Sequence, residues 1–282
     1  MHTLVRCVIA NNPHSRFQGN LGRLLPLRAA AALVAVLMIL LIEASPAAAD
    51  ADLIKTYSPI VQPGILEFEA RGHGSVGLPR GNRDAQAQLY ELGYGVTNWW
   101  SAALLGSTQQ QPQSGLQFNA VGMENIFQLT TPGEYYFDTG LYLEYAHGTV
   151  PGVPQDVEAK ILLQKSYGRT TILLNIAVDK TFGKFAQKGV GSSYSAEVTR
   201  PMFRNRFTLM YAGLQAFGET GTLGAFAPFD RQNHVFGPVI GGEVKIGKLP
   251  GVLEYEAGYL FGITSASAAG TPKFILAYEF PF

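Results

Sequence analysis

Cysteine is almost missing from this chain: of 282 residues only Cys7 carries a thiol, and it stands near the N-terminal end. That excludes a disulfide framework and argues against a thiolate metal site. Charge is scarce as well, at 15% of residues. The balance is 21 basic against 21 acidic groups. Without residues 1–49, which hold four Arg and one Glu, it becomes 17 against 20. A net charge of −3 is no footprint of a nucleic-acid binder. After residue 49 no apolar period of about 3.6 residues is sustained, which excludes a helical bundle. No P-loop, dinucleotide fingerprint or EF-hand loop occurs. Beyond the first 49 residues the histidines are His73, His147 and His234, too scattered for a metal array. No cofactor or metal is expected.

One apolar run is present, Ala29 to Ile42, preceded by Arg23 and Arg28 and followed by Ala47-Ala48-Ala49 before Asp50. Fourteen helical residues rise only about 21 Å, short of a hydrocarbon core of about 30 Å. Residues 1–49 therefore read as a cleaved signal peptide with an upstream extension, and residues 50–63 as an extended periplasmic lead-in.

From residue 64 onward the pattern is alternation, the signature of strands with two unlike faces. It predicts strands at about 64–74, 85–96, 99–107, 115–129, 134–147 and 156–166. Six more follow at about 170–179, 193–200, 205–217, 234–246, 251–263 and 271–282. Tight turns near 97–98, 131–133, 167–169, 201–204 and 247–250 alternate with longer connections, the longest being 218–233. An even number of antiparallel strands with short turns at one end predicts an all-β, up-and-down transmembrane barrel over 64–282. Closure follows because a sheet in lipid cannot leave edge N–H and C=O groups unpaired. Trp99, Trp100, Phe127, Tyr135, Tyr167, Phe203, Phe207, Phe280 and Phe282 gather beside the short turns, as an interfacial girdle requires.

With the greasier parity facing lipid, the other face gives the lumen. Its candidates are Glu67, Glu69 and Arg71 from the first strand, Glu91 from the second and Glu124 from the fourth. Asp138 and Glu144 come from the fifth strand, and Glu158 and Lys160 from the sixth. Glu197, Arg206, Glu243 and Lys245 follow from the eighth to tenth strands. Glu254, Glu256, Lys273 and Glu279 complete the set, with Asn175 and Asp179 from the seventh strand. Charge facing lipid costs about 2–4 kcal/mol at mid-depth, so this segregation is physically demanded. The charges admit two readings: cross-strand pairs that fill a narrow barrel, or a small aqueous path favouring cations and neutral polar solutes.

Thr271 to Phe282, TPKFILAYEFPF, places Phe274, Leu276, Tyr278, Phe280 and Phe282 on one face and ends on an aromatic. It resembles the closing strand of bacterial outer-membrane barrels, which implies recognition by the barrel-assembly machinery through Phe282. Tyr94-Gly95-Val96-Thr97-Asn98-Trp99 resembles the YGxTxxW hairpin of outer-membrane barrels of the phenol-degradation meta-pathway type. That resemblance implies transport of a small solute, without naming one, and carries over no functional residue. The expectation is a non-enzymatic outer-membrane channel in contact with lipid. The alternatives are a closed barrel acting through external loops such as 218–233, and a hydrolase using rim histidines His147 or His234.

Overall fold

The computed structural model describes residues 54–77, 85–111 and 115–282. Residues 1–49, read above as a signal peptide, and the loop at 78–84 lie outside the described residues. The barrel strands are β1 (Ile65–Ser75), β2 (Ala85–Gly95), β3 (Trp100–Gln111), β4 (Gly115–Gln128), β5 (Asp138–Gly148) and β6 (Gln155–Tyr167). They continue as β7 (Thr170–Phe182), β8 (Gly191–Arg204), β9 (Thr208–Thr222), β11 (Asn233–Val244), β12 (Val252–Gly262) and β13 (Gly270–Pro281). The short β10 (Ala225–Phe226) only prolongs the edge of β9.

Each barrel strand is antiparallel to both neighbours, and β13 returns to β1 through nine register pairs from Ile65↔Pro281 to His73↔Lys273. The result is the predicted closed twelve-stranded antiparallel barrel. Its outside carries the apolar parity: Phe68, Leu104, Ile161, Ile176, Leu214 and Phe261 are all exposed. A band of that kind around a whole molecule is a surface for lipid. On it Phe68 stacks with Phe280 at 6.3 Å, across the β1–β13 seam. At the short-turn mouth Trp99 and Trp100 stack on Phe127 at 6.1 and 6.5 Å, and Tyr167 and Phe282 are among the most exposed side chains.

Several strand limits differ from the sequence reading. The turn expected at 201–204 falls at 205–207, because Asn205 Oδ1 accepts from the backbone N–H of Phe207 and Thr208, both at 2.8 Å. Pro201 remains inside β8 beside a register shift, a place where a strand tolerates the missing N–H. The connection expected at 131–133 is longer, 129–137, and carries exposed Tyr135, Tyr136 and Phe137. β3 continues through the polar run Thr108–Gln111, where Asn119 Nδ2 donates to Gln109 Oε1 at 3.3 Å across the β3–β4 pair. Turn lengths therefore do not alternate strictly.

The largest departure is residues 54–63. They do not lie outside the barrel as a lead-in; they run up its interior. Ile54, Tyr57 and Val61 are buried there, and Tyr57 packs with Tyr142 and Leu162 in one of the barrel's buried apolar clusters. The segment starts beside Gly64, whose N–H donates to Gly95 O at the short-turn mouth, and reaches the level of Lys273 and His73.

Candidate functional site: a lumen divided by the inserted segment

An irregular segment inside a barrel has no ladder partner, so the backbone of residues 54–63 turns to side chains. Lumen amides do this. Asn175 forms a two-point clamp on Tyr57, its Oδ1 accepting from Tyr57 N at 2.7 Å and its Nδ2 donating to Tyr57 O at 2.9 Å. Gln128 Oε1 accepts from Val61 N at 2.9 Å, and Gln164 Oε1 accepts from the Ser58 hydroxyl at 2.8 Å. The Lys273 ammonium donates to Ile54 O. Two glycines make room on the wall: a Cβ on Gly95 would stand 1.9 Å from Gln62 O, and one on Gly140 would stand 2.8 Å from Pro59 Cβ.

Lys55 brings a cation into the first cluster of predicted lumen acids. Its Nζ lies 2.8 Å from Glu69, 3.5 Å from Glu91 and 3.9 Å from Glu67. Arg71, fully buried, donates to Glu69 at 2.5 Å, to Glu91 at 2.9 Å and to the Tyr57 hydroxyl at 2.7 Å. A second cluster surrounds two aromatic rings. The Tyr57 hydroxyl donates to Glu124 at 3.1 Å, and the Tyr142 hydroxyl lies between Glu124 and Glu144. Lys160 pairs with Glu158 at 2.7 Å and sits over both rings, 4.8 Å from the Tyr57 centroid and 4.4 Å from that of Tyr142. The third cluster centres on Glu256, which accepts from Lys273 at 2.8 Å, Gln215 at 3.0 Å and the Tyr211 hydroxyl at 3.1 Å. Gln215 Nε2 also donates to Glu197 at 2.5 Å.

The remaining predicted residues are dispersed. Glu243 and Glu254 stand opposite each other on β11 and β12. Glu67 and Glu279 are likewise opposite across the β1–β13 seam, and Lys245 lies just beyond β11 at the short-turn end. Asp138 is buried but serves the 129–137 turn, accepting from Gly133 N at 2.5 Å. Arg206 is not in the lumen: it is exposed in the 205–207 turn, its guanidinium 5.3 Å from the Phe207 ring centroid. The error follows from the misplaced turn, which assigned Arg206 a strand parity. Sequence reading missed Lys55, Tyr57, Tyr142, Gln164, Tyr211 and Gln215, all neutral lumen groups or parts of the inserted segment.

Three cavities flank the segment, and Lys55 borders each. One of about 820 Å³ opens toward the long loops and is lined by Glu144, Asp156, Glu158, Asp179 and Glu219 among other polar groups. One of about 200 Å³ lies toward the short turns between residues 55–60 and strands β6 to β13. The third, about 70 Å³, lies against β1 to β4. Of the rim histidines, His147 is exposed on the outward parity. Both ring nitrogens of His234 are engaged, Nδ1 with the Tyr194 hydroxyl at 3.1 Å and Nε2 with Gln232 Oε1 at 2.7 Å. With Nε2 donating to the Gln232 carbonyl oxygen, Nδ1 is the acceptor for the Tyr194 hydroxyl.

No family model matches the chain, and no curated protein matches it. Among solved structures it is similar to the COG4313 outer membrane channel from Pseudomonas putida F1, with TM-score 0.50 and 12% identity over 83% of this chain and 99% of that one. The translocator domain of the autotransporter NalP from Neisseria meningitidis aligns with TM-score 0.47 and 10% identity over 91% of this chain and 98% of that one. At such identities the first likeness speaks to the fold alone: this chain has the architecture of an outer-membrane β-barrel.

Proposed function

We propose that the protein is an outer-membrane channel through which small solutes pass passively along a polar, carboxylate-rich lumen, with residues 54–63 as an internal restriction. The observation that carries this reading is the pair of cavities, about 820 and 200 Å³, on either side of the segment, both bordered by Lys55 and both lined by carboxylates. Carboxylate walls in a narrow lumen favour cations and neutral polar solutes over anions. The apolar exterior of the closed barrel supports a location in the outer membrane. No catalytic step is assigned. Reconstitution into planar bilayers tests the proposal: discrete conductance steps with a reversal potential on the cation side are expected. Silence across voltage, pH and salt would sink it.

One observation favours a second reading, a closed barrel acting through its external loops. The loops at 223–232 and 263–269 are tied together, Thr264 Oγ1 donating to Gln232 O at 2.5 Å and Ser265 Oγ to Asp230 O at 2.7 Å. Replacing 223–232 by a short turn would then abolish the phenotype, whereas lumen substitutions would leave it unchanged.

A further inference from the structure

The 200 Å³ cavity on the short-turn side combines an apolar wall with hydroxyls that nothing among the described residues satisfies. Ile60, Leu173, Leu209 and Ile275 line it, with the Tyr211 side chain. Thr56 and Thr171, also on its wall, are 8% and 1% exposed, and among the described residues neither Oγ1 has a hydrogen-bond partner. Buried hydroxyls normally have partners, so two orphans on one wall are a feature to explain. Thr171 stands opposite Thr199 in the β7–β8 register, and Glu197 projects on the same face two residues along.

The charged groups of this cavity are mostly acidic. Glu243 and Glu254 face each other directly, an arrangement that costs stability when both are ionised. Glu197 and Glu256 converge on Gln215. Lys55 and the Lys273 contact with Glu256 close the inner end, while Arg169 and Arg204 stand by the turns at the outer mouth.

We propose that this cavity is a binding site for a small organic cation with an apolar body, a one-ring primary amine being the type. An ammonium offers three donors, enough to reach the orphan hydroxyl oxygens and a carboxylate at once. The ring would lie on the Ile60, Leu173 and Ile275 side. A volume of about 200 Å³ is below that of sites for drug-sized ligands, which limits the body to one ring. A metal ion is a poorer fit: among the described residues no group of three or more acidic, His or Cys side chains has metal-holding geometry.

The inference rests on the lumen being open to solutes, but its test does not require conduction. Isothermal titration of the purified full-length barrel in detergent would compare benzylamine, benzyl alcohol and benzoate at neutral pH. Benzylamine should bind roughly tenfold more tightly than benzyl alcohol, with the preference falling as salt rises, and benzoate should bind least. Equal affinities for amine and alcohol, or tightest binding of benzoate at the Arg169–Arg204 mouth, would overturn the proposal. The wild-type comparison needs no variant to fold. Glu254→Gln and Thr171→Val should each weaken benzylamine, whereas Glu144→Gln, in the opposite cavity, should leave it unchanged. Equal weakening by all three would also count against the site. A silent channel that still binds benzylamine defeats the conduction reading alone, and a conducting one that ignores benzylamine defeats this inference alone.

Discussion

The Lys273 ammonium donates to the backbone carbonyl of Ile54, joining the closing strand to a segment 219 residues before it. The same nitrogen donates to Gln215 Oε1 at 2.7 Å and Glu256 Oε1 at 2.8 Å, with no side-chain exposure of its own. It is therefore both the latch of the inserted segment and the cation of a buried pair. Lys273→Met keeps the length and removes the charge. Breaking one side of such a pair costs about 3–5 kcal/mol, because the partner carboxylate stays buried. The variant should unfold at lower temperature, expose residues 54–63 to protease and conduct more. Unchanged protease protection of the segment would show that the latch is elsewhere.

Gly95 and Gly140 lie under the segment at its short-turn half, with no room for a methyl group at either. At Gly95 the obstacle is the Gln62 carbonyl, backbone that cannot swing aside as a side-chain end can. Gly95→Ala should lift the segment off the wall while leaving the barrel ladder intact. Bilayer recordings should show a larger mean conductance, with β content unchanged by circular dichroism. Loss of β content would mean that the glycine serves the β2 strand instead.

Two arginines that look alike in the sequence should behave oppositely. Arg71 is 1% exposed and bonded to two carboxylates and the Tyr57 hydroxyl. Arg206 is exposed in a turn against Phe207. Arg71→Ala leaves Glu69 and Glu91 with Lys55 as their remaining ion-pair partner, and a loss of about 3–5 kcal/mol is expected. Arg206→Ala should change stability by less than about 0.5 kcal/mol and leave ion selectivity untouched. Denaturant titration in detergent separates the two.

The contrast shows what could be read from residues alone. Strand parity is local, so the period of two located Glu69, Glu91, Glu124 and Glu256 on the inner wall without any knowledge of neighbours. Parity fails wherever the turn is misplaced, and Arg206 inherited the error from a turn made by the side chain of Asn205. The inserted segment left no periodic trace at all. Ile54-Lys55-Thr56-Tyr57-Ser58-Pro59 has no repeat, and what holds it are contacts such as Asn175 to Tyr57, 118 residues apart. One indirect sign existed: lumen carboxylates outnumbered lumen cations, so a further cation was needed, and Lys55 supplies it.

That surplus of carboxylates leads to a selectivity prediction. Glu124, Glu144, Glu158 and Asp179 stand directly opposite one another on β4, β5, β6 and β7, an unbroken acidic row across four strands. Side-by-side like charges are unfavourable, and Lys160 with the hydroxyls of Tyr57 and Tyr142 stands against the β4 to β6 part of the row. The residual negative potential should draw cations from the long-loop side into the 820 Å³ cavity. Glu144→Gln combined with Asp179→Asn keeps the shapes and removes two charges. The cation-to-anion permeability ratio should fall by roughly twofold at 0.1 M salt, where the screening length is about 10 Å. At about 1 M salt that length shrinks to about 3 Å, so the ratio of wild type and variant should converge. A ratio that is equal in both proteins at low salt would place the selectivity-determining charges in another part of the lumen, with Glu243 and Glu254 the next pair to neutralise.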